Sequence, residues 1–220
     1  MRLVAAAACL ALWGCDSVHA LFSPRDRPGN SRAEIVMGPW LLDPAAPEVT
    51  VAWTTAQPVA GRVWYLEDRL AQEDTPRTDH RVRLRSLPLD SEVRYRVEGA
   101  PDVEGSFHTA PALQGPFRVV VFGENRTNGG DHALVARAVA AERARLAIHT
   151  GNMVINAGDE QLWSRWFFEE ADLLRHTPLI AAVGNHEITD DGVSYGRYFG
   201  DPPRPAYRSL DYGPLHLVVL

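Results

Sequence analysis

Residues 178–187 read PLIAAVGNHE, an apolar run that ends in a glycine followed by three polar residues. Two earlier segments have the same design, FRVVVFGENR over 117–126 and RLAIHTGNMV over 145–154. The apolar runs are short and are separated by helical patterns, which predicts buried parallel strands over 117–122, 145–150 and 178–183. Ligands bind at the carboxyl ends of such strands, so the three segments predict one shared site.

Composition limits what such a site does. The chain has 220 residues, of which 45% are hydrophobic and 23% charged, as in ordinary globular proteins. Its net charge of −6 argues against nonspecific binding to nucleic acid or to an anionic membrane. All basic residues are arginine, which excludes a Walker-type phosphate lysine and a Schiff-base lysine.

The amino terminus has the pattern of a leader. Arg2 precedes an apolar stretch over 3–13 that is too short to span a bilayer, which predicts a signal peptide over residues 1–20. The segment LWGC resembles a bacterial lipobox in which Cys15 is lipidated, whereas VHA fits signal peptidase cleavage after Ala20. Both alternatives predict export to the bacterial periplasm or cell envelope, the first with a lipid anchor in the membrane.

Residues 33–111 have the period-two pattern of half-buried antiparallel strands. In the segment 92–98, Val93, Tyr95 and Val97 alternate with charged residues. Similar short runs recur with breaks rich in proline and aspartate, at the spacing of a β-sandwich. The two prolines and the glycine in 111–116 predict a domain boundary.

The period changes to that of helices after this boundary. Residues 133–144 place Leu134, Val135, Ala138 and Val139 on one face, and 160–174 predicts a second helix with an aromatic core face. The order strand, helix, strand, helix, strand predicts a parallel α/β layer. His149 and His216, inside strand patterns, are expected to be packed and hydrogen-bonded, and so are the aromatic residues at 195, 198 and 199.

The strand-end segments resemble those of a known family. Gly184-Asn185-His186-Glu187 resembles the G-N-H-[DE] motif of the calcineurin-like metallophosphoesterases, and Gly123-Glu124 and Gly151-Asn152 stand where that family has two G-D motifs. The first half is similar to the fibronectin-III-like domain of purple acid phosphatases, on segments 38–41, 51–55 and 107–111. The resemblance implies a fibronectin-III-like all-β sandwich over 33–111, followed by a partial α/β metallophosphoesterase domain over 117–220 with a mixed, largely parallel sheet.

The same resemblance implies a dinuclear site that hydrolyses phosphate esters, with two divalent metal ions such as Fe, Zn or Mn. Such a pair polarises the phosphate and generates a hydroxide nucleophile. Glu124 would bind the first metal, and Asn152 would take the bridging position. Asn185 would bind the second metal, while His186 would contact the phosphate and help to protonate the leaving group.

Three residues near the first motif have less defined roles. Arg126 stands where many family members carry a histidine, and it either lies near the first metal or binds a phosphate oxygen. Asn125 and His132 are possible phosphate contacts, although His132 alternatively is a surface residue at a helix start. Glu187 is expected to orient His186 rather than to bind metal.

Several departures from the family pattern predict that metal ligands are missing. The first aspartate is Glu124, and the bridging aspartate is the neutral Asn152. The family also carries a later histidine and a G-H-x-H motif that the 220 residues do not contain, so about half of a catalytic domain is expected. We therefore expect an incomplete or absent metal centre and an inactive or weakly active chain. The alternatives are a noncatalytic envelope lipoprotein and a truncated gene fragment.

Overall fold

The computed structural model of the chain describes residues 32–112, 115–127, 129–200 and 207–220. The predicted leader over 1–20 and Cys15 lie outside these described residues, so export and lipidation stay predictions. Residues Ser31–Leu220 form one compact unit. No helix in the described ranges is both long enough and apolar enough to cross a bilayer.

The first half forms seven strands in two antiparallel layers. The strands are β1 (Ile35–Ala45), β2 (Glu48–Val59), β3 (Arg62–Tyr65), β4 (Arg69–Gln72), β5 (Arg77–Leu84), β6 (Glu92–Val97) and β7 (Val103–His108). One layer has the order β5-β2-β1 and the other β4-β3-β6-β7. Alternating apolar residues such as Val51, Val82 and Val93 form a common core, which explains the period-two pattern of the sequence.

The second half alternates strands and helices. Its elements are β8 (Val119–Phe122), α1 (Gly129–Ala141), β9 (Leu146–His149), α2 (Glu160–Glu169), α3 (Ala171–His176), β10 (Leu179–Ala181), α4 (Val193–Phe199), β11 (Arg208–Tyr212) and β12 (Leu215–Val219). Strands β8, β9 and β10 pair in parallel, which confirms the predicted α/β layer.

The two halves share one sheet. Strand β1 pairs in parallel with β10 at Leu42 and Leu179, which produces a six-stranded mixed sheet with the order β5-β2-β1-β10-β9-β8. The division into domains at 33–111 and 117–220, and the fibronectin-III-like character of the first, stay predictions. In the structure the sheet runs across the predicted boundary.

Two cores cover the faces of the parallel strands. On one face, helices α2 and α4 supply aromatic side chains that are at most 6% exposed, namely Trp163, Trp166, Phe167, Tyr195, Tyr198 and Phe199. On the other face, the hairpin β11–β12 packs Tyr212 and Val219 against Leu146 and Ile180. The predicted packing role of these aromatic residues is confirmed.

The predicted helix over 160–174 is wrong in one respect, because it is broken at Glu170. Glu170 has φ −92° and ψ 0°, and it separates α2 from α3. Its side chain is fully buried beside His132 of α1. The break gives the carboxylate a direction that a continuous helix does not impose on it.

The predicted apolar face of the first helix is also largely wrong, although Val139 packs against the core as expected. Leu134 and Val135 are 59% and 49% exposed, whereas Ala136 and His132 are buried. The helix begins at Gly129, and the small Ala136 side chain faces inward, which permits close packing. His132 is therefore not a surface residue, and His216, at 62% side-chain exposure, is paired with Asp211 rather than packed.

A buried ion pair links strands of the sandwich. His80 Nδ1 lies 2.7 Å from Glu73 Oε2, and the imidazole stacks on Trp53 with ring centroids 4.6 Å apart. The Glu73 carboxylate also accepts the backbone N–H groups of Gly61 and Arg81, both at 3.1 Å. Burial raises the pKa of the Glu73 carboxyl, but the contacts with His80 and Arg81 outweigh it and lower that pKa below its ordinary value.

We expect Glu73→Gln to lower the free energy of unfolding at pH 7 by about 1–3 kcal/mol, because it removes a charge-assisted acceptor. Because the pKa of the Glu73 carboxyl is lower in the folded state, the ionised group stabilises the fold at pH values above its ordinary pKa of 4.5. This stabilisation is lost as the pH falls through the folded pKa. The gap between wild type and variant should therefore close towards pH of about 3. Urea unfolding followed by tryptophan fluorescence measures it, with the exposed Glu104→Gln as control; an equal gap at both pH values would contradict the assignment.

Candidate functional site

The three strand-end turns meet at one edge of the sheet. The Glu124 N–H donates to Gly151 O at 3.0 Å, which joins the first turn to the second. Gly151 has φ +95°, and a Cβ there would lie 2.7 Å from Gly184 N, so the second and third turns approach too closely for a side chain. Glu124 and Asn152 themselves have φ of 60° and 58°, a conformation that clusters at functional sites.

A buried carboxylate holds two of these turns together. Glu187 is fully buried, and it accepts backbone N–H groups from Asn152 at 2.7 Å, Met153 at 2.8 Å and Gly184 at 2.9 Å. Val154 N–H lies at 3.4 Å from the same carboxylate. The expected role of Glu187 was to orient His186, whereas its hydrogen bonds in the described ranges go to backbone amides. The carboxylate thus orders the second and third turns. We call the region between the three strand-end turns the cleft.

Both carboxylate oxygens of Glu124 are engaged. Oε1 pairs with the Arg126 guanidinium, and Oε2 accepts Asn152 Nδ2 at 2.6 Å. The Glu124 side chain is 59% exposed and that of Arg126 is 28% exposed, so the group lies at the mouth of the cleft. Arg126 and Asn152 thus supply the positive charge and the donor that balance this carboxylate.

His186 and Asn185 lie on the third turn. His186 Nδ1 donates to Ile155 O at 2.7 Å, which leaves Nε2 of the neutral imidazole without a proton. The His186 backbone N–H lies 3.3 Å from Asn152 Oδ1, so the third turn also contacts the side chain at the predicted bridging position. Asn185 is exposed. The structure therefore brings Glu124, Asn152 and His186 into one connected group, with Asn185 beside it.

Asn125 and His132 lie behind this group. Asn125 Oδ1 is 3.1 Å from His149 Nε2, and Asn125 Nδ2 is 2.9 Å from His132 Nδ1. Burial, with the charge of His132, lowers the pKa of His149 to about 3, so His149 is neutral at physiological pH. His149 is packed and hydrogen-bonded as expected. A phosphate contact by Asn125 or His132 stays a prediction, and their polar atoms face each other.

Sequence reasoning missed Glu170, whose Oε1 lies 3.0 Å from His132 Nε2. Burial raises the pKa of the Glu170 carboxyl, against the opposing effect of His132. A signal was present, because Glu170 falls at helical spacing on the apolar face that carries Trp163, Trp166 and Leu174. A carboxylate in such a position indicates a buried partner.

The residues at this cleft do not fit a metal pair. Within the described ranges, no group of three or more histidine, cysteine or acidic side chains is arranged to hold a metal ion. Glu124 is the one carboxylate among the predicted ligands, and it is paired with Arg126. Asn152 and Asn185 are neutral, whereas a dinuclear centre needs anionic ligands between its ions. The dinuclear centre of Fe, Zn or Mn that the resemblance implies therefore lacks its donor set among the described residues.

Comparison with known proteins supports the fold. No family model and no curated protein matches the sequence. The structure is similar to a purple acid phosphatase, PPD1, from seeds of yellow lupin (Lupinus luteus), with a TM-score of 0.64 at 18% identity over 83% of this chain and 44% of that one. It is also similar to PhoD, with a TM-score of 0.62 at 14% identity over 85% of this chain and 51% of that one. The fold is phosphoesterase-like.

The chain spans about half the length of the two structures that it matches. At these identities the likeness concerns the fold alone.

We expect Glu187→Gln to lower the free energy of unfolding by at least about 2 kcal/mol, because a carboxamide presents its own N–H group to backbone N–H donors. Amide hydrogen exchange should rise first at Asn152, Met153 and Gly184. The exposed Glu142→Gln serves as the control and should leave these amides unchanged. Unaltered protection in Glu187→Gln would show that the carboxylate does not hold the turns.

Proposed function

We propose that this chain is an exported phosphoesterase-like protein whose cleft binds a phosphate ester or a related oxyanion, with hydrolysis absent or weak. The observation that supports this proposal is the pairing of Glu124 with Arg126 and Asn152. A carboxylate that already holds a guanidinium is a poor ligand for a divalent ion, since the cation must displace it. The cleft therefore keeps the strand-end positions of the family that the sequence resembles, but its distribution of charge is different.

Electrostatics favours a cleft without a metal pair. Two dications about 3.5 Å apart repel each other by on the order of 20 kcal/mol at an effective dielectric of 20, and an anionic bridge normally offsets this repulsion. The residue at the bridging position is Asn152, which is neutral. Glu124 alone leaves most of that repulsion uncompensated, and its charge is shared with Arg126.

The remaining groups suit an oxyanion. Arg126 offers a planar set of donors that matches two phosphate oxygens, and its guanidinium is held at the mouth of the cleft by Glu124. Asn185, on the exposed third turn, adds a carboxamide donor. His186 donates from Nε2 when it is protonated, since Nδ1 is committed to Ile155 O.

The likeness of fold to a purple acid phosphatase favours a second candidate, hydrolysis of phosphoric esters through two metal ions. This candidate requires ligands beyond those in the described ranges. Export to the periplasm or cell envelope, with Cys15 as lipid anchor or cleavage after Ala20, is part of the proposal under either candidate.

Hydrolysis and metal content separate the two candidates. We expect fewer than two metal ions per chain by elemental analysis, and p-nitrophenyl phosphate turnover at background with added Mn²⁺ or Zn²⁺, because the anionic ligands are too few. Asn185→Ala and His186→Ala should then leave this background unchanged. Turnover that either substitution abolishes would establish the metal-dependent enzyme instead.

Binding of inorganic phosphate tests the proposed cleft directly. Calorimetry should give a dissociation constant that rises about tenfold in Arg126→Gln, because one charge-assisted contact is lost. Arg137→Gln, on the exposed side of α1, is the matched control and should bind as the wild type does. Equal affinity in the two variants, or no binding by the wild type, would refute the cleft as an oxyanion site.

A further inference from the structure

A series of polar groups in contact runs behind the cleft, from the second turn to Glu170 at the break between α2 and α3. Gly151 N–H donates to His149 Nδ1 at 3.1 Å. A backbone amide is only a donor, so Nδ1 carries no proton and the neutral ring is protonated at Nε2. His149 Nε2 then donates to Asn125 Oδ1 at 3.1 Å.

These contacts decide the orientation of Asn125. With Oδ1 accepting from His149, the Nδ2 group faces His132, at 2.9 Å from Nδ1 and 3.1 Å from Nε2 of that ring. The Nε2 atom of His132 also lies 3.0 Å from Glu170 Oε1 and 4.0 Å from Glu169 Oε2. Each group thus determines the donor or acceptor role of the next.

The last contact of this series, between His132 and Glu170, is energetically costly to bury. The His132 and Glu170 side chains are 1% and 0% exposed, and neither Glu170 oxygen has a well-aligned hydrogen bond in the described ranges. A buried contact between a histidine and a carboxyl group is weak evidence for stability, since apolar residues of the same volume often serve better. The pair therefore calls for an explanation other than stability.

We infer that His132 and Glu170 are positioning residues for the turn 124–126, and that they act through the side chain of Asn125. Asn125 lies between Glu124 and Arg126 in sequence, and both ends of its amide are held from behind. This contact keeps Glu124 in its positive-φ conformation and directs Arg126 towards the cleft. The inference rests on the proposed function at one point only, the binding of an oxyanion by Arg126.

The pair Glu170→Gln and Glu169→Gln tests this inference in the full chain. Each substitution replaces one carboxyl group beside His132 by a carboxamide at nearly constant volume, but only Glu170 lies at contact distance. We expect Glu170→Gln to shift the Asn125 side-chain amide and the His149 ring ¹⁵N resonances, and to weaken phosphate binding at least fivefold. Glu169→Gln should change neither readout. Equal effects of the two variants would overturn the inference.

A second pair covers the case in which Glu170→Gln does not fold. His132→Gln retains an acceptor towards Asn125 and a donor towards Glu170, whereas His132→Leu has neither. We expect the wild-type Asn125 and His149 resonances in His132→Gln and their displacement in His132→Leu. Wild-type resonances in both variants would refute positioning. Because the resonances need no ligand, failure of the wild type to bind phosphate would count against the proposed function alone.

Discussion

The buried carboxylate of Glu187 is the interaction on which the cleft depends. It gathers the backbone N–H groups of Asn152, Met153 and Gly184, which two tight turns would otherwise bury without partners. These three amides, with Val154 N–H at 3.4 Å, give the buried carboxylate the hydrogen bonds that its burial requires. Because the turns are joined in this way, the side chains that follow each glycine face the same space.

Under the proposed function, charge rather than shape sets the chemistry of the cleft. Arg126 and Asn152 stand where the family that the sequence resembles has, respectively, a histidine in many members and an aspartate. A cation and a neutral carboxamide at these positions favour a bound oxyanion over bound metal ions. One fold can host different chemistry because function depends on the side chains of the site.

The continuous sheet gives the cleft a rigid base. Strand β1 lies between β2 of the sandwich and β10 of the α/β layer, and Leu42 is buried where the two meet. Aromatic side chains of α2 and α4 cover this region, and Trp40 Nε1 donates to Tyr198 O at 3.0 Å. The sandwich therefore contributes to the core beneath the site rather than standing apart from it.

The sequence by itself determined the parallel strands, the strand-end turns and the identity of Glu124, Asn152 and His186 at those turns, because these features follow from local periodicity and from glycine. Only the tertiary structure decided the partners of these side chains, the buried face of α1, the break at Glu170 and the pairing of β1 with β10. The reason is physical: hydrogen bonds and ion pairs between distant segments depend on distances of a few tenths of an ångström. Local pattern specifies which residues of a segment are apolar, but the face that becomes buried and the direction of a buried polar group are set by what lies opposite to them.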